Sequence, residues 1–112
     1  MIHPKDIGWL AALLDGEGHF NLNGGCSPRF TVAMYDSDLI ERVCRLTGGV
    51  HRSRTNRLGK KVHYTDLSGA PAIEWCMTLY TLMGRRRKAT IQGLITIWKE
   101  APGKGWRLGK GA

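Results

Sequence analysis

Carboxylates are scarce in this chain. Its 112 residues carry 9 Asp and Glu against 17 Lys and Arg, a formal charge of +8 with pI 9.9. That imbalance favours a polyanionic partner: DNA, RNA or an anionic membrane surface. Long apolar runs are missing as well. None approaches the roughly 20 residues that a membrane span requires, and no signal-peptide pattern precedes the first predicted helix. A membrane partner is therefore not expected. Cysteine is sparse: Cys26, Cys44 and Cys76 are odd in number and lack CxxC spacing. They read as reduced, partly buried thiols of a cytosolic-type compartment, and the expected location is cytoplasmic, nucleoid-associated or organellar. His3, His19, His51 and His63 do not pair with the cysteines at ligand spacing, so no zinc site is expected.

What is present is enough for one domain. An apolar content of 42% supports a modest core, expected over residues 1–100, with a basic and frayed tail over 101–112. The first predicted helix runs from about Asp6 to Asp15 and closes at Gly16. Its apolar residues Ile7, Trp9, Leu10, Leu13 and Leu14 cover more than one stripe, with Gly8, Ala11 and Ala12 between them. Burial on several sides is implied, and a second copy of the same helix is a plausible neighbour. From Gly18 the period switches to two. Phe20 and Leu22, then Phe30, Val32 and Met34, alternate with polar residues on either side of Gly24-Gly25, which predicts a hairpin. "DSDLIERVCRLTGG" predicts a capped helix ending at Gly48-Gly49. A second hairpin is predicted over residues 50–56 and 61–67, turning near Leu58-Gly59. Two helical stretches follow, "APAIEWCMTLYTLM" and "RRRKATIQGLITIWKE". Strand pairs alternating with helices predict an α+β fold with an antiparallel sheet and its helices on one face.

One stretch is electrostatically uphill. "WLAALLDGEGHF" places Asp15 and Glu17 at the end of its helix, where the macrodipole favours cations. Here "LAALLDGEG", residues 10–18, resembles the defining motif of the LAGLIDADG homing endonucleases. Leu10, Ala11, Leu13, Asp15 and Gly18 match its letters, while Ala12, Leu14, Gly16 and Glu17 replace Gly, Ile, Ala and Asp. The αββαββα order that follows is the order of that family.

The resemblance implies a four-stranded saddle sheet and a metal-dependent, site-specific endonuclease that cuts double-stranded DNA. A chain with one motif implies a homodimer acting on a near-palindromic site. The motif helices of two copies would pack side by side, using Gly8, Ala11 or Ala12 for close approach. Glu17 matches the metal-binding, catalytic position, with Mg²⁺ or Mn²⁺ as the cofactor, and Asp15 matches a brace at the helix end. "GRRRKA", residues 84–89, resembles a basic segment that sends one cation to the active site. Aligned on Ala89 that cation is Arg85, with Arg86 and Arg87 as register alternatives or as DNA contacts. Relatives also use a polar residue near the end of the second strand. Tyr35 and Asp36 fall there, and neither is assigned to catalysis.

The strand faces opposite the core are the expected DNA surface. On the first hairpin these are His19, Asn21, Asn23, Arg29, Thr31 and Tyr35. On the second, Arg52 and Arg54 occupy one face and His51, Ser53 and Thr55 the other, and alternation alone leaves both open. Arg57, Lys60 and Lys61 lie at the turn, suited to phosphate contact. His51 and His63 read as surface hydrogen-bonding residues. Trp106 in the tail is left between stacking on a base and packing back. The rival readings are a non-catalytic DNA-binding regulator and an RNA-splicing maturase on the same scaffold.

Overall fold

A computed structural model describes residues 2–25 and 27–100. Cys26 and the expected basic tail, with Trp106, lie outside the described residues. The element order is α1 (Pro4–Glu17), β1 (Gly18–Asn23), β2 (Ser27–Met34), α2 (Ser37–Thr47), β3 (Arg52–Thr55), β4 (Lys61–Ser68), α3 (Ala70–Leu79), a 3₁₀ turn (Tyr80–Leu82) and α4 (Arg85–Glu100). All three strand pairings are antiparallel, and the sheet order is β1-β2-β4-β3. The α+β class and the αββαββα order match the sequence expectation.

Period-two patterning does its expected work in the first hairpin. Phe20 pairs with Phe30, and Phe30 with Leu67, so these side chains share one face. Phe20, Phe30, Val32 and Thr65 are buried there against helix residues such as Leu10, Leu14, Ile40, Leu79 and Ile91. Each such large side chain contributes about 1.5–3 kcal/mol of burial free energy. The opposite face is open. The sheet thus presents one side to its helices and one to solvent.

Helix ends depart from the sequence reading in instructive ways. α1 starts two residues early, because the His3 side chain accepts from the backbone N–H of Lys5 (3.0 Å) and Pro4 opens the helix. It continues past Gly16 and ends at Glu17, with Gly18 as its cap. The chain turns into β1 directly there: a Cβ on Gly18 would stand 2.7 Å from the Leu14 carbonyl oxygen. Gly18, not Gly16, is the residue the turn requires. α2 ends at Gly48 in the left-handed region (φ 82°), whose N–H reaches the Cys44 carbonyl. The stretch after α3 tightens into its 3₁₀ turn, which satisfies carbonyls at the helix end.

Candidate nucleic-acid and metal site

Asp15 and Glu17 leave the same helix end in different environments. The Asp15 carboxylate accepts a hydrogen bond from the Gly84 backbone N–H at 3.1 Å, at the threshold of α4. It thereby sits at the positive end of another helix, which offsets its unfavourable place on its own. α1 has no basic residue in its last turn; the missing cation arrives from α4. Arg87 Nε donates to the Asp15 carbonyl oxygen at 3.1 Å, and its guanidinium lies 5.6 Å from the centre of the Phe20 ring. Arg87, expected among the DNA contacts or as a register alternative for the catalytic cation, is instead half-buried and tied to the end of α1.

Glu17 is exposed, and its side chain makes no hydrogen bond or ion pair with any described residue. It borders an open pocket of 410 Å³ with Ala33, Met34, Tyr35, Asp36 and Val62. Two carboxylates and no Lys, Arg or His line that pocket, in a chain with a +8 charge. Asp36 is also exposed, and although it precedes α2 its side chain makes no capping hydrogen bond. Sequence reasoning placed Asp36 near the end of β2 as a candidate cap of α2, alongside Ser37 and Asp38, and assigned it no catalytic role. Its signal was an Asp at a cap position, which ordinarily caps. No group of three His, Cys, Asp or Glu suited to a metal exists among the described residues. Glu17 and Asp36 offer oxygen donors, the type Mg²⁺ prefers, and an ion that keeps waters and takes substrate phosphates needs only one or two carboxylates.

The second hairpin's orientation, open from sequence, is decided by pairing. Arg52 stands opposite Tyr64, Tyr64 opposite Ala33, and Arg54 opposite Val62. Arg52 and Arg54 therefore share the open face with Asn21, Arg29 and Thr31, whereas His51, Ser53 and Thr55 lie on the helix side. Lys61 pairs with Thr55 and belongs to that other side. Asn21, Asn23, Arg52 and Arg54 are exposed, and Arg29 and Thr31 half-buried. Arg54 stacks 4.8 Å from the centre of the Tyr64 ring. One acid interrupts the basic face: Asp66, opposite Thr31, whose Oδ2 lies 3.5 Å from Arg52. Sequence reasoning missed it, because only the β2–β4 register puts it there.

The basic turn is anchored beside the carboxylate pocket. Asn56 Oδ1 accepts from the backbone N–H groups of Leu58 and Lys60, which closes the turn. Asn56 Nδ2 donates to the Tyr35 hydroxyl at 3.1 Å, and Lys60 Nζ lies 5.3 Å from the Tyr35 ring centre. Arg57 and Lys60 are exposed on this turn. Arg85 and Arg86 are exposed at the start of α4, and the Asp15–Gly84 contact sets that start against the end of α1.

Of the three small residues expected at a dimer interface, Ala11 is 2% exposed and faces its own core. Gly8 and Ala12 are exposed, and Gly16 continues their line at the same four-residue spacing. A Cβ on Gly8 or Gly16 would meet nothing within 4 Å.

A scan against family models and a search of curated proteins return no match. Solved structures do match. The homing endonuclease I-CvuI, in complex with its target in the presence of Ca, aligns at a TM-score of 0.68 with 15% sequence identity, covering 88% of this chain and 69% of that one. A second I-CvuI structure, with an I-CreI target and Mg and with its DNA not cleaved, aligns at 0.64 with 14% identity over the same shares. The fold of this chain is the fold of that homing endonuclease. At this identity the likeness speaks for architecture alone.

Proposed function

We propose that the chain is a single-motif LAGLIDADG homing endonuclease: a homodimeric, divalent-metal-dependent enzyme that hydrolyses phosphodiesters of double-stranded DNA at a near-palindromic site. The observation that carries this reading is the position of Glu17. It is exposed at the end of the motif helix, engaged by no neighbour, and set in an acidic pocket at one end of a basic sheet face. Asp15 is already committed to Gly84 and serves as a brace.

Glu17 holds the catalytic cation, with Asp36 as a further oxygen donor from the same pocket. Mg²⁺ or Mn²⁺, if held there, would supply a water of lowered pKa and positive charge opposite the phosphate. Arg85, exposed where α4 meets the end of α1, stabilises charge on the attacked phosphate. Asn21, Asn23, Arg29, Thr31, Arg52 and Arg54 face the grooves, where Arg and Asn suit guanine and adenine edges. Arg57, Lys60 and Arg86 supply phosphate contacts without sequence preference, whereas Lys61, on the helix side of the sheet, does not. The exposed line Gly8–Ala12–Gly16 carries no side chain beyond a methyl, which suits a second copy of α1 at short range. Two copies then place two Glu17 residues over one duplex.

The test is incubation with a randomised duplex library in Mg²⁺, repeated in Ca²⁺ and with Glu17→Gln. Cleavage in Mg²⁺ that disappears in both controls, with binding retained, is the expected result. Binding without cleavage under every condition selects a regulator, and preference for structured RNA selects a maturase.

A further inference from the structure

His51 and His63 stand twelve residues apart with no metal-ligand spacing between them, yet the second hairpin brings them together. His51 Nε2 lies 3.0 Å from His63 Nδ1, with ring centres 5.0 Å apart and planes inclined at 70°. His63 pairs with Ser53 across β4–β3 and with Met34 across β4–β2. The imidazoles therefore lie on the helix side of the sheet, opposite Arg52 and Arg54 and away from the proposed DNA face. All four residues of β3 are exposed, so the helix layer does not cover this edge and the pair remains open to solvent.

We propose that His51 and His63 form a two-imidazole binding site for a borderline divalent transition metal such as Zn²⁺, separate from the Glu17 pocket. Bonds of about 2.0–2.1 Å separate two ligand nitrogens by about 3.3–3.4 Å at a tetrahedral ion and by about 2.8–3.0 Å at a right angle. The observed 3.0 Å stands at the right-angled limit and a few tenths of an ångström short of the tetrahedral one, so reorienting the rings, with no shift of the strands, converts the hydrogen bond into a chelate. Neutral imidazole suits Zn²⁺, Ni²⁺ and Cu²⁺, whereas Mg²⁺ and Mn²⁺ favour oxygen. The two sites thus select different ions. No third His, Cys, Asp or Glu joins the pair among the described residues, which leaves the remaining coordination positions to solvent. A bound ion clips the leading end of an edge strand, held in the sheet by β4 alone, to its neighbour. This site does not depend on the nuclease reading.

Titration calorimetry of the full chain with Zn²⁺ tests it, alongside thermal melts with and without the ion. Zn²⁺ is expected to bind once per chain and raise Tm. His51→Ala and His63→Ala each lose the binding and the Tm shift, while His3→Ala and Glu17→Gln keep both. An absence of Zn²⁺ uptake by the unaltered chain, or uptake undiminished in the double His variant, overturns the proposal. Imidazole resonances of the unaltered chain decide the matter even where a variant folds poorly. Zn²⁺ must shift those of His51 and His63 ahead of those of His3 and His19, and the reverse order overturns it.

Discussion

The Asp15 carboxylate accepts from the Gly84 backbone N–H, a contact across 69 positions of chain. With Arg87 returning a donor to the Asp15 carbonyl, it binds the end of α1 to the start of α4. A carboxylate that is costly on its own helix becomes a cap for another. That junction sets where Glu17 and Arg85 emerge.

Removing this cap should loosen the junction. Asp15→Ala is expected to destabilise the chain by about 1 kcal/mol, the usual loss for a helix cap, with Asp15→Asn losing less because an acceptor remains. Urea unfolding measures both. A null effect of Asp15→Ala would remove the brace.

Glycines of the motif helix should respond in opposite directions. Gly18→Ala drives a Cβ against the Leu14 carbonyl and is expected to destabilise by about 1–3 kcal/mol. Gly16→Ala and Gly8→Ala meet open space and should stabilise the isolated chain by up to about 1 kcal/mol. In the proposed dimer the same two changes should weaken self-association, since each adds a methyl to the face proposed to meet a second helix. Sedimentation at several concentrations, beside unfolding curves, separates the effects.

Asp66 should lower affinity for DNA at large while sharpening choice of sequence. On the proposed DNA face its carboxylate would repel phosphates, and it holds Arg52 from 3.5 Å. Asp66→Asn is expected to tighten binding to random duplex and flatten preference at the base pairs nearest Arg52. Arg52→Ala should lose about 1–3 kcal/mol of discrimination there. Competition binding against random and selected duplexes at fixed salt gives both numbers.

Cys76 gives stability an alkaline limit. Burial pushes its thiol from the ordinary 9.0 up to about 12. The folded chain keeps the proton while the unfolded chain releases it, so this contribution is whole below pH 9.0. It falls as pH rises from 9.0 towards about 12. Cys76→Ala should flatten that part of the curve in unfolding experiments run across alkaline pH. Thiol reagents should spare Cys76 in the native protein.

Much of the architecture was legible because it rests on short-range rules. Alternation at Phe20, Phe30 and Val32 reports which strand face meets a core, and Gly48 reports a helix end through its left-handed backbone. The α+β class and element order follow from such local signals. Gly16 misled because two glycines bracket Glu17, and only the close approach of Leu14 singles out Gly18.

Local pattern determined the elements, the apolar face of the first hairpin and the acidic end of the motif helix. Tertiary structure alone decided which of those acids is committed and which is open to solvent, since the partner of Asp15 is a backbone N–H far along the chain. It also decided that Arg52 and Arg54 share a face with Asn21 and Arg29, that Asp66 stands among them, and that His51 meets His63. Each of these depends on the register of β4 between β2 and β3. Period-two alternation is identical for either face of a strand exposed on both sides, so only long-range pairing can choose.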